Sequence, residues 1–157
     1  MRQIIIAKLN KGFTLIELVL AMLIIGILAT IAYGSYRSII EGMNTNQAIA
    51  DIYEIELIIE RNNTTNNSLP ADMNELIALG APSEDPWGQP YAYLPFTPTT
   101  PNGPKRKSHG TVPLNSDYDL YSKGPDGLSS TPLTAARSRD DIVRASNGGF
   151  VGLGADY

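Results

Sequence analysis

The sequence predicts an α+β chain in which a long N-terminal helix packs on a small domain with a short helix and an antiparallel β-sheet. Residues 13–32 form a nearly unbroken apolar run, and about 20 such residues suffice to cross a bilayer. Beyond it, isoleucines recur at helical spacing. Later, Tyr118, Leu120 and Ser122 alternate with Asp119 and Tyr121, as in a strand with one buried face. A chain of 157 residues has room for one modest domain besides the helix, whose first half is therefore predicted to span a membrane.

The apolar run contains one acid, Glu17, close to its start. A carboxylate inside a bilayer costs on the order of several kcal/mol unless it is paired or protonated, so it is a functional candidate. The alternative is that Glu17 lies shallow enough to reach lipid headgroups and water. Residues 1–12 contain Arg2, Lys8 and Lys11 and no acid, which predicts a cytoplasmic position for this segment.

The boundary before the apolar run differs from that of an ordinary secretory signal, whose small-residue cleavage site follows its apolar core. Here Lys11, Gly12 and Phe13 precede the run. Cleavage between Gly12 and Phe13 would leave the helix attached to the mature chain. It would also create an amino group on Phe13, one helical turn from Glu17.

The segment KGFTLIELVLAMLIIGILA, which begins at Lys11, resembles the type III signal sequence of type IV pilins and type II secretion pseudopilins. The resemblance implies that a prepilin peptidase cuts after Gly12 and that Phe13 is N-methylated. It also implies that Glu17 pairs with the Phe13 ammonium of a neighbouring subunit, since a charge in an apolar filament core is tolerable only when paired. A repeated, non-closing contact of this kind builds a helical filament.

This resemblance divides the chain into four parts. Residues 1–12 form a leader peptide, residues 13–36 a transmembrane and filament-core helix, residues 37–61 its soluble continuation, and residues 62–157 a periplasmic domain. The continuation carries an apolar stripe that we assign to ordinary core, whereas its acids Asp51, Glu54 and Glu60 are predicted to be solvated. The stripe comprises Ile49, Ile52, Tyr53, Ile55, Ile58 and Ile59.

The predicted periplasmic domain begins where the polar run 61–70 ends the long helix. Residues 72–79 then predict a short second helix that stops at Gly80. DPWGQPYAY (85–93) and YDLYSKGPDG (118–127) predict turns and strands, and both resemble segments of major pseudopilins. Between them lies a long loop, residues 94–116, whose basic residues Lys105, Arg106 and Lys107 and whose His109 are predicted to be exposed.

Major pseudopilins hold calcium in a loop that the resemblance places at residues 123–142. Calcium takes six to eight oxygen ligands. The implied ligands are Asp126 and Asp140 with Asp141 as a substitute, together with the Lys123 carbonyl and the Ser129 oxygens.

This loop also departs from the family pattern, because its sequence LSSTPLTAARSR (128–139) brings two arginines close to the expected cation. Arg137 and Arg139 could instead pair with Asp126 or Asp140. The loop would then be held without a metal ion.

Composition excludes several classes of function. The chain has no cysteine, which excludes zinc–thiolate sites and cysteine nucleophiles and favours a pseudopilin over the many type IV pilins that close a disulfide. Removal of residues 1–12 deletes three positive charges and changes the formal charge from −4 to −7. An acidic mature chain argues against a nucleic-acid partner, and no motif predicts an enzyme.

The function implied is that of a major pseudopilin, the structural subunit of a type II secretion pseudopilus that helps to export folded proteins across the outer membrane. The implied partners are copies of the chain, minor pseudopilins, a prepilin peptidase and an inner-membrane platform whose cytoplasmic ATPase supplies energy. The chain would be a single-pass inner-membrane protein with a periplasmic C-terminal domain. The alternatives are a type IV or competence pilin in an extracellular fibre, and a periplasmic enzyme or binding module anchored by the same helix.

Overall fold

The computed structural model describes residues 12–110 and 113–157. All of the predicted leader peptide except Gly12 lies outside these residues. The chain divides into two compact units, the first ending at Ile40 and the second comprising residues 41–157. The first helix, α1 (Leu15–Asn66), begins in the first unit and ends in the second.

The first unit carries apolar side chains on every side of α1, and these side chains are exposed. Within the part of the chain that the structure describes, α1 is the one helix long and apolar enough to span a membrane. Exposure all round a helix indicates that lipid or other protein chains surround it, because water does not solvate such a surface well.

The C-terminal end of α1 lies at Asn66 rather than at the predicted Arg61. Hydroxyl groups of Thr64 and Thr65 donate to carbonyls one turn earlier, so these polar residues prolong the helix instead of breaking it. Asn67 then adopts a positive φ of 51°, and its N–H donates to the Asn63 carbonyl. This left-handed residue ends the helix.

The second unit contains a four-stranded antiparallel sheet in the order β1-β2-β3-β4, which confirms the predicted α+β class. The strands are β1 (Ala92–Pro95), β2 (Tyr118–Ser122), β3 (Ile142–Ala145) and β4 (Phe150–Leu153). A short helix, α2 (Met73–Ala78), is capped by Asp72, whose side chain accepts from the Glu75 N–H. It stops before Gly80, which has a φ of 103°.

One face of the sheet packs against the apolar stripe of α1. Ile52, Ile55 and Ile59 are fully buried against a cluster that includes Leu120 and Ile142, and each such side chain contributes about 1.5–3 kcal/mol by burial. Tyr53 is an exception to the predicted stripe, because 47% of its surface stays exposed.

Asp51 corrects the expectation that the acids of α1 face solvent. Its side chain is buried and accepts a hydrogen bond of 2.7 Å from the Tyr91 hydroxyl. Burial is the main cause that raises the pKa of Tyr91, and the hydrogen bond to Asp51 raises it further. The phenol therefore stays protonated and acts as the donor. The pair connects α1 to the residue that precedes β1.

The opposite face of the sheet is covered as well, which the alternation in β2 did not predict. A second apolar cluster contains Leu114 and Leu133 from loops with Val143 and Ala145 from β3. Asp119 of β2 is buried there, because its carboxylate accepts from the Arg106 N–H at 2.7 Å and from the Asn115 amide at 3.0 Å. The long loop after β1 therefore forms part of the core.

Candidate functional site

The N-terminus of α1 is built around Glu17. One carboxylate oxygen, Oε2, accepts hydrogen bonds from the Thr14 N–H and the Thr14 hydroxyl, both at 2.8 Å. The Thr14 hydroxyl in turn accepts from the Glu17 N–H at 3.3 Å. This reciprocal arrangement is a capping box, which satisfies two of the N–H groups left free at a helix start.

The second carboxylate oxygen of Glu17, Oε1, accepts no hydrogen bond from the residues that the structure describes. It is therefore available to a donor from another molecule. A cation would be attracted to this oxygen by the negative charge, and the cap would hold the carboxylate in place for it. The arrangement can bind an amino group without breaking the helix start.

The cap was not predicted, although the sequence contains a local signal for it. Threonine followed three residues later by glutamate, directly before an apolar run, is the pattern of a capping box. Thr14-Leu15-Ile16-Glu17 fits that pattern. Glu17 consequently has a local partner in its own chain as well as the partner implied by the resemblance.

The loop after β2 makes a close backbone approach at Gly124. This glycine has a φ of 65°, and a Cβ on it would lie 2.2 Å from the Asp140 carbonyl oxygen. Asp126, in contrast, lies in an exposed turn, where its carboxylate accepts from the Leu128 N–H at 2.7 Å. The two ends of the loop therefore meet where Gly124 contacts the Asp140 backbone. The Asp126 carboxylate, by contrast, binds within its own turn.

Asp141 is the buried acid of this loop. Its Oδ2 atom accepts from the Ser129 hydroxyl at 2.6 Å and from the Arg106 guanidinium at 2.5 Å. Burial raises the pKa of Asp141, while the hydrogen bond from Ser129 and the charge of Arg106 oppose that rise. The pair of Asp141 and Arg106 was not predicted from the sequence.

Two of the residues predicted to bind calcium contact an arginine in this structure. Among residues 12–110 and 113–157, no group of three or more acids or histidines is placed to hold a metal ion. Of the five candidates, Asp141 and Ser129 bind the Arg106 guanidinium, and Asp126 binds its own turn. The donor set does not fit calcium, which needs six to eight oxygens and several negative charges. Calcium binding stays a prediction from the resemblance.

The alternative arginines also lie elsewhere. Arg137 and Arg139 are exposed, and neither forms an ion pair with Asp126 or Asp140 in the described part of the chain. The arginine that pairs with this loop is Arg106, from the segment expected to be solvated. Only 3% of its side chain is exposed.

The close approach at Gly124 leads to a prediction with an internal control. Gly124→Ala should lower the free energy of unfolding by about 2–3 kcal/mol, because it combines a strained φ with a backbone clash. Gly127 has a similar φ of 67°, but a Cβ there would meet only the Gln89 side chain at 3.3 Å. Gly127→Ala should therefore cost about 1 kcal/mol.

The two variants can be compared by urea unfolding in detergent, followed by the fluorescence of Trp87, the single tryptophan. Trp87 packs against the core of the second unit and reports on that unit alone. Equal losses in Gly124→Ala and Gly127→Ala would contradict the clash, because only the shared φ would then matter.

Comparisons with known proteins agree with these features. Residues 7–33 match the family described as the prokaryotic N-terminal methylation motif. This match covers Gly12, Phe13, Thr14 and Glu17, the residues of the predicted cleavage site and of the capping box.

Curated relatives extend the similarity into the second unit. The chain is 31% identical over 137 residues to the type II secretion system core protein G of Pseudomonas aeruginosa, covering 75% of this chain and 85% of that protein. It is 28% identical over 142 residues to the protein of the same name from Klebsiella pneumoniae, covering 85% and 92%. For the Escherichia coli protein the values are 29% over 131 residues, 78% and 86%. A search of solved structures gave no match.

Proposed function

This chain belongs to the family of the type II secretion system core protein G, pseudopilins of the type IV pilin superfamily, and on that premise we propose that it is the major structural subunit of a secretion pseudopilus. Such a filament, assembled from many copies, would help to move folded proteins across the outer membrane. Its relatives are structural subunits, and the chemistry proposed for this chain is recognition between subunits.

We propose the following course for the subunit. It enters the inner membrane with α1, its C-terminal unit in the periplasm, and a prepilin peptidase removes residues 1–12. The mature subunit then moves from the membrane into a helical periplasmic filament, with minor pseudopilins and an inner-membrane platform as partners. Energy comes from a cytoplasmic ATPase.

The geometry of Glu17 is the observation that carries this proposal. Its Oε2 atom closes the helix start through Thr14, which stabilises the carboxylate in a subunit that has not yet assembled. Its Oε1 atom remains to accept the Phe13 ammonium of a neighbour. Because a buried carboxylate needs a counter-charge, each added subunit would supply the charge that the previous one lacks.

The exposed apolar surface of the first unit supports the same proposal. Lipid tails can surround these side chains before assembly, and the helices of neighbouring subunits can surround them afterwards. The two environments differ for the charged groups: the Phe13 ammonium and the Glu17 carboxylate find each other only after assembly. A membrane anchor with no assembly role would need neither Gly12 cleavage nor a second partner for Glu17.

Cleavage provides the direct test. Mass spectrometry of the chain from its native host should find a mature N-terminus at methylated Phe13. Gly12→Leu should leave the uncut precursor in the inner membrane, because Gly12 presents no side chain to the peptidase and leucine would obstruct it.

Gly42→Leu is the matched control, since a Cβ at Gly42, like one at Gly12, would meet nothing within 4 Å. It should be cut normally. Recovery of an intact Met1 in the wild-type chain, or normal mature Gly12→Leu, would contradict the proposal and favour a simple anchor.

A further inference from the structure

Arg106 lies in a buried site made of oxygens. Its Nη1 atom donates to the Ser129 hydroxyl at 2.5 Å and to the Ser130 carbonyl at 2.9 Å, and its Nη2 atom donates to Asp141 at 2.5 Å. The ring of Tyr121 lies 4.2 Å from the guanidinium carbon. A buried cation is thus surrounded by a carboxylate, a hydroxyl, a carbonyl and an aromatic face.

The backbone on both sides of Arg106 is fixed in the same region. The Arg106 N–H donates to Asp119 of β2. Lys107 donates to the Thr131 carbonyl at 3.1 Å and accepts from the Leu133 N–H at 2.9 Å. These bonds join the loop after β1 to the loop before β3, so the position of the guanidinium does not depend on its own flexible side chain alone.

Two of the oxygens bound by Arg106 belong to Asp141 and Ser129, which are predicted calcium ligands. Ser130 is also connected to Ser138, whose hydroxyl donates to the Ser130 carbonyl and accepts from the Ser130 N–H. The cluster therefore spans residues 129–141, which lie within the predicted calcium loop, residues 123–142.

We propose that the guanidinium of Arg106 holds this loop closed in place of calcium. Arginine suits the role because its charge is permanent and its planar N–H groups can reach several oxygens at once. The inference concerns the stability of the second unit and does not depend on the proposed secretion function.

The proposal predicts how this chain responds to calcium. A calcium ion entering the cluster would meet a fixed positive charge and would compete with it for Asp141 Oδ2, the Ser129 hydroxyl and the Ser130 carbonyl, which Arg106 already binds. Stabilisation by a ligand requires that the ligand bind the folded state. The wild-type protein should therefore melt at the same temperature with and without calcium.

The experiment uses the full-length chain in detergent and follows Trp87 fluorescence during heating, once with EGTA and once with millimolar calcium chloride. Wild-type midpoints should coincide. Arg106→Ala and Arg106→Lys should melt at least about 5 °C lower in both solutions. The exposed residues Arg137 and Arg139 supply the controls, and Arg137→Ala and Arg139→Ala should melt as the wild type does.

A charge reversal sharpens the test. Arg106→Glu should melt lowest in EGTA, because it buries a second negative charge in the region of Asp141, and calcium should raise its midpoint by supplying the positive charge that was removed. A response to calcium in this variant but not in the wild type would support the proposal.

The proposal would be overturned by a calcium-dependent rise in the wild-type midpoint that Asp126→Ala abolishes. It would equally be overturned by Arg106→Lys melting as the wild type does. Where Arg106→Ala does not fold, the wild-type comparison and Arg106→Lys still decide the question.

Discussion

Glu17→Val should abolish filament formation while the protein still enters the inner membrane. Insertion should be intact or improved, because a carboxylate in the apolar segment is removed. Assembly should fail because the Phe13 ammonium of each neighbour loses its counter-charge, and breaking a buried pair costs about 3–5 kcal/mol. A loss of about 3 kcal/mol at each contact weakens that contact more than a hundredfold.

The capping box allows the two roles of Glu17 to be separated. Glu17→Gln keeps a side chain that can cap the helix but removes the charge. Thr14→Val keeps the charge but removes the hydroxyl that accepts from Glu17, at a cost of about 1 kcal/mol for the lost cap. If the ion pair governs assembly, Glu17→Gln should fail as Glu17→Val does, and Thr14→Val should still form filaments.

The measurement is the yield of filaments recovered after the outer membrane is opened by spheroplasting, normalised to the subunit recovered in the membrane fraction. Normal yield from Glu17→Val would show that the glutamate faces headgroups and contributes only a helix cap. Normal yield from Glu17→Gln together with failure of Thr14→Val would assign the whole effect to the cap.

Local patterns predicted the elements of this fold well. The spacing of Ile52, Ile55 and Ile59 indicated the face of α1 that packs on the sheet, because residues three and four apart share a helix face. The turn at Asp85 and the strand that follows it were likewise predicted correctly. Asp85 accepts hydrogen bonds from the N–H groups of Trp87 and Gln89 within its own turn. Each signal depends on residues close together in the chain.

The predictions of solvent exposure were wrong for polar residues whose partners are distant in the sequence. Asp51 binds Tyr91, 40 residues away, and Arg106 binds Asp141, 35 residues away. A charged residue is solvated unless the fold brings it a partner. No periodicity within a single segment reports such a partner. The loop after β1 was therefore predicted to be solvated, although it covers one face of the sheet.

The C-terminal end of α1 was also predicted too early, because the prediction relied on the polar composition of the residues after Arg61. Asn62 to Asn66 are polar, yet Asn62 is buried and its amide donates to the Ser68 carbonyl at 3.2 Å. Threonine and asparagine weaken a helix mainly by offering its backbone other hydrogen bonds. Here those bonds are made along the helix and just beyond its end, so they extend α1 by another turn.

Arg144 of β3 is a further charged residue whose buried position no local pattern indicated. Its Nε atom donates to Glu56 of α1 at 2.5 Å, and its two terminal nitrogens donate to Asp117 at 2.8 Å each. The Tyr118 ring lies 3.9 Å from the guanidinium carbon. Burial alone would lower the pKa of Arg144, but its bonds to Asp117 and Glu56 outweigh that effect and raise it. The Arg144 side chain thus links α1 to the sheet by hydrogen bonds and ion pairs.

Arg144→Met should lower the free energy of unfolding by about 3–5 kcal/mol, the cost of leaving the partners of a buried ion pair without their counter-charge. Only 14% of the Glu56 side chain is exposed, so solvent cannot fully replace the guanidinium there. Arg144→Lys should recover only part of the loss, because an ammonium cannot bind Asp117 with two parallel bonds and reach Glu56 as well.

The measurement is urea unfolding of the full chain in detergent, followed by Trp87 fluorescence. Arg61→Met is the matched control, since Arg61 is exposed on α1 and its side chain forms no ion pair with the residues described. Glu56→Gln in the Arg144→Met background should cost less than Glu56→Gln alone, because the two residues act on each other. An Arg144→Met protein as stable as Arg61→Met would show that packing of the isoleucine stripe alone holds α1 on the sheet.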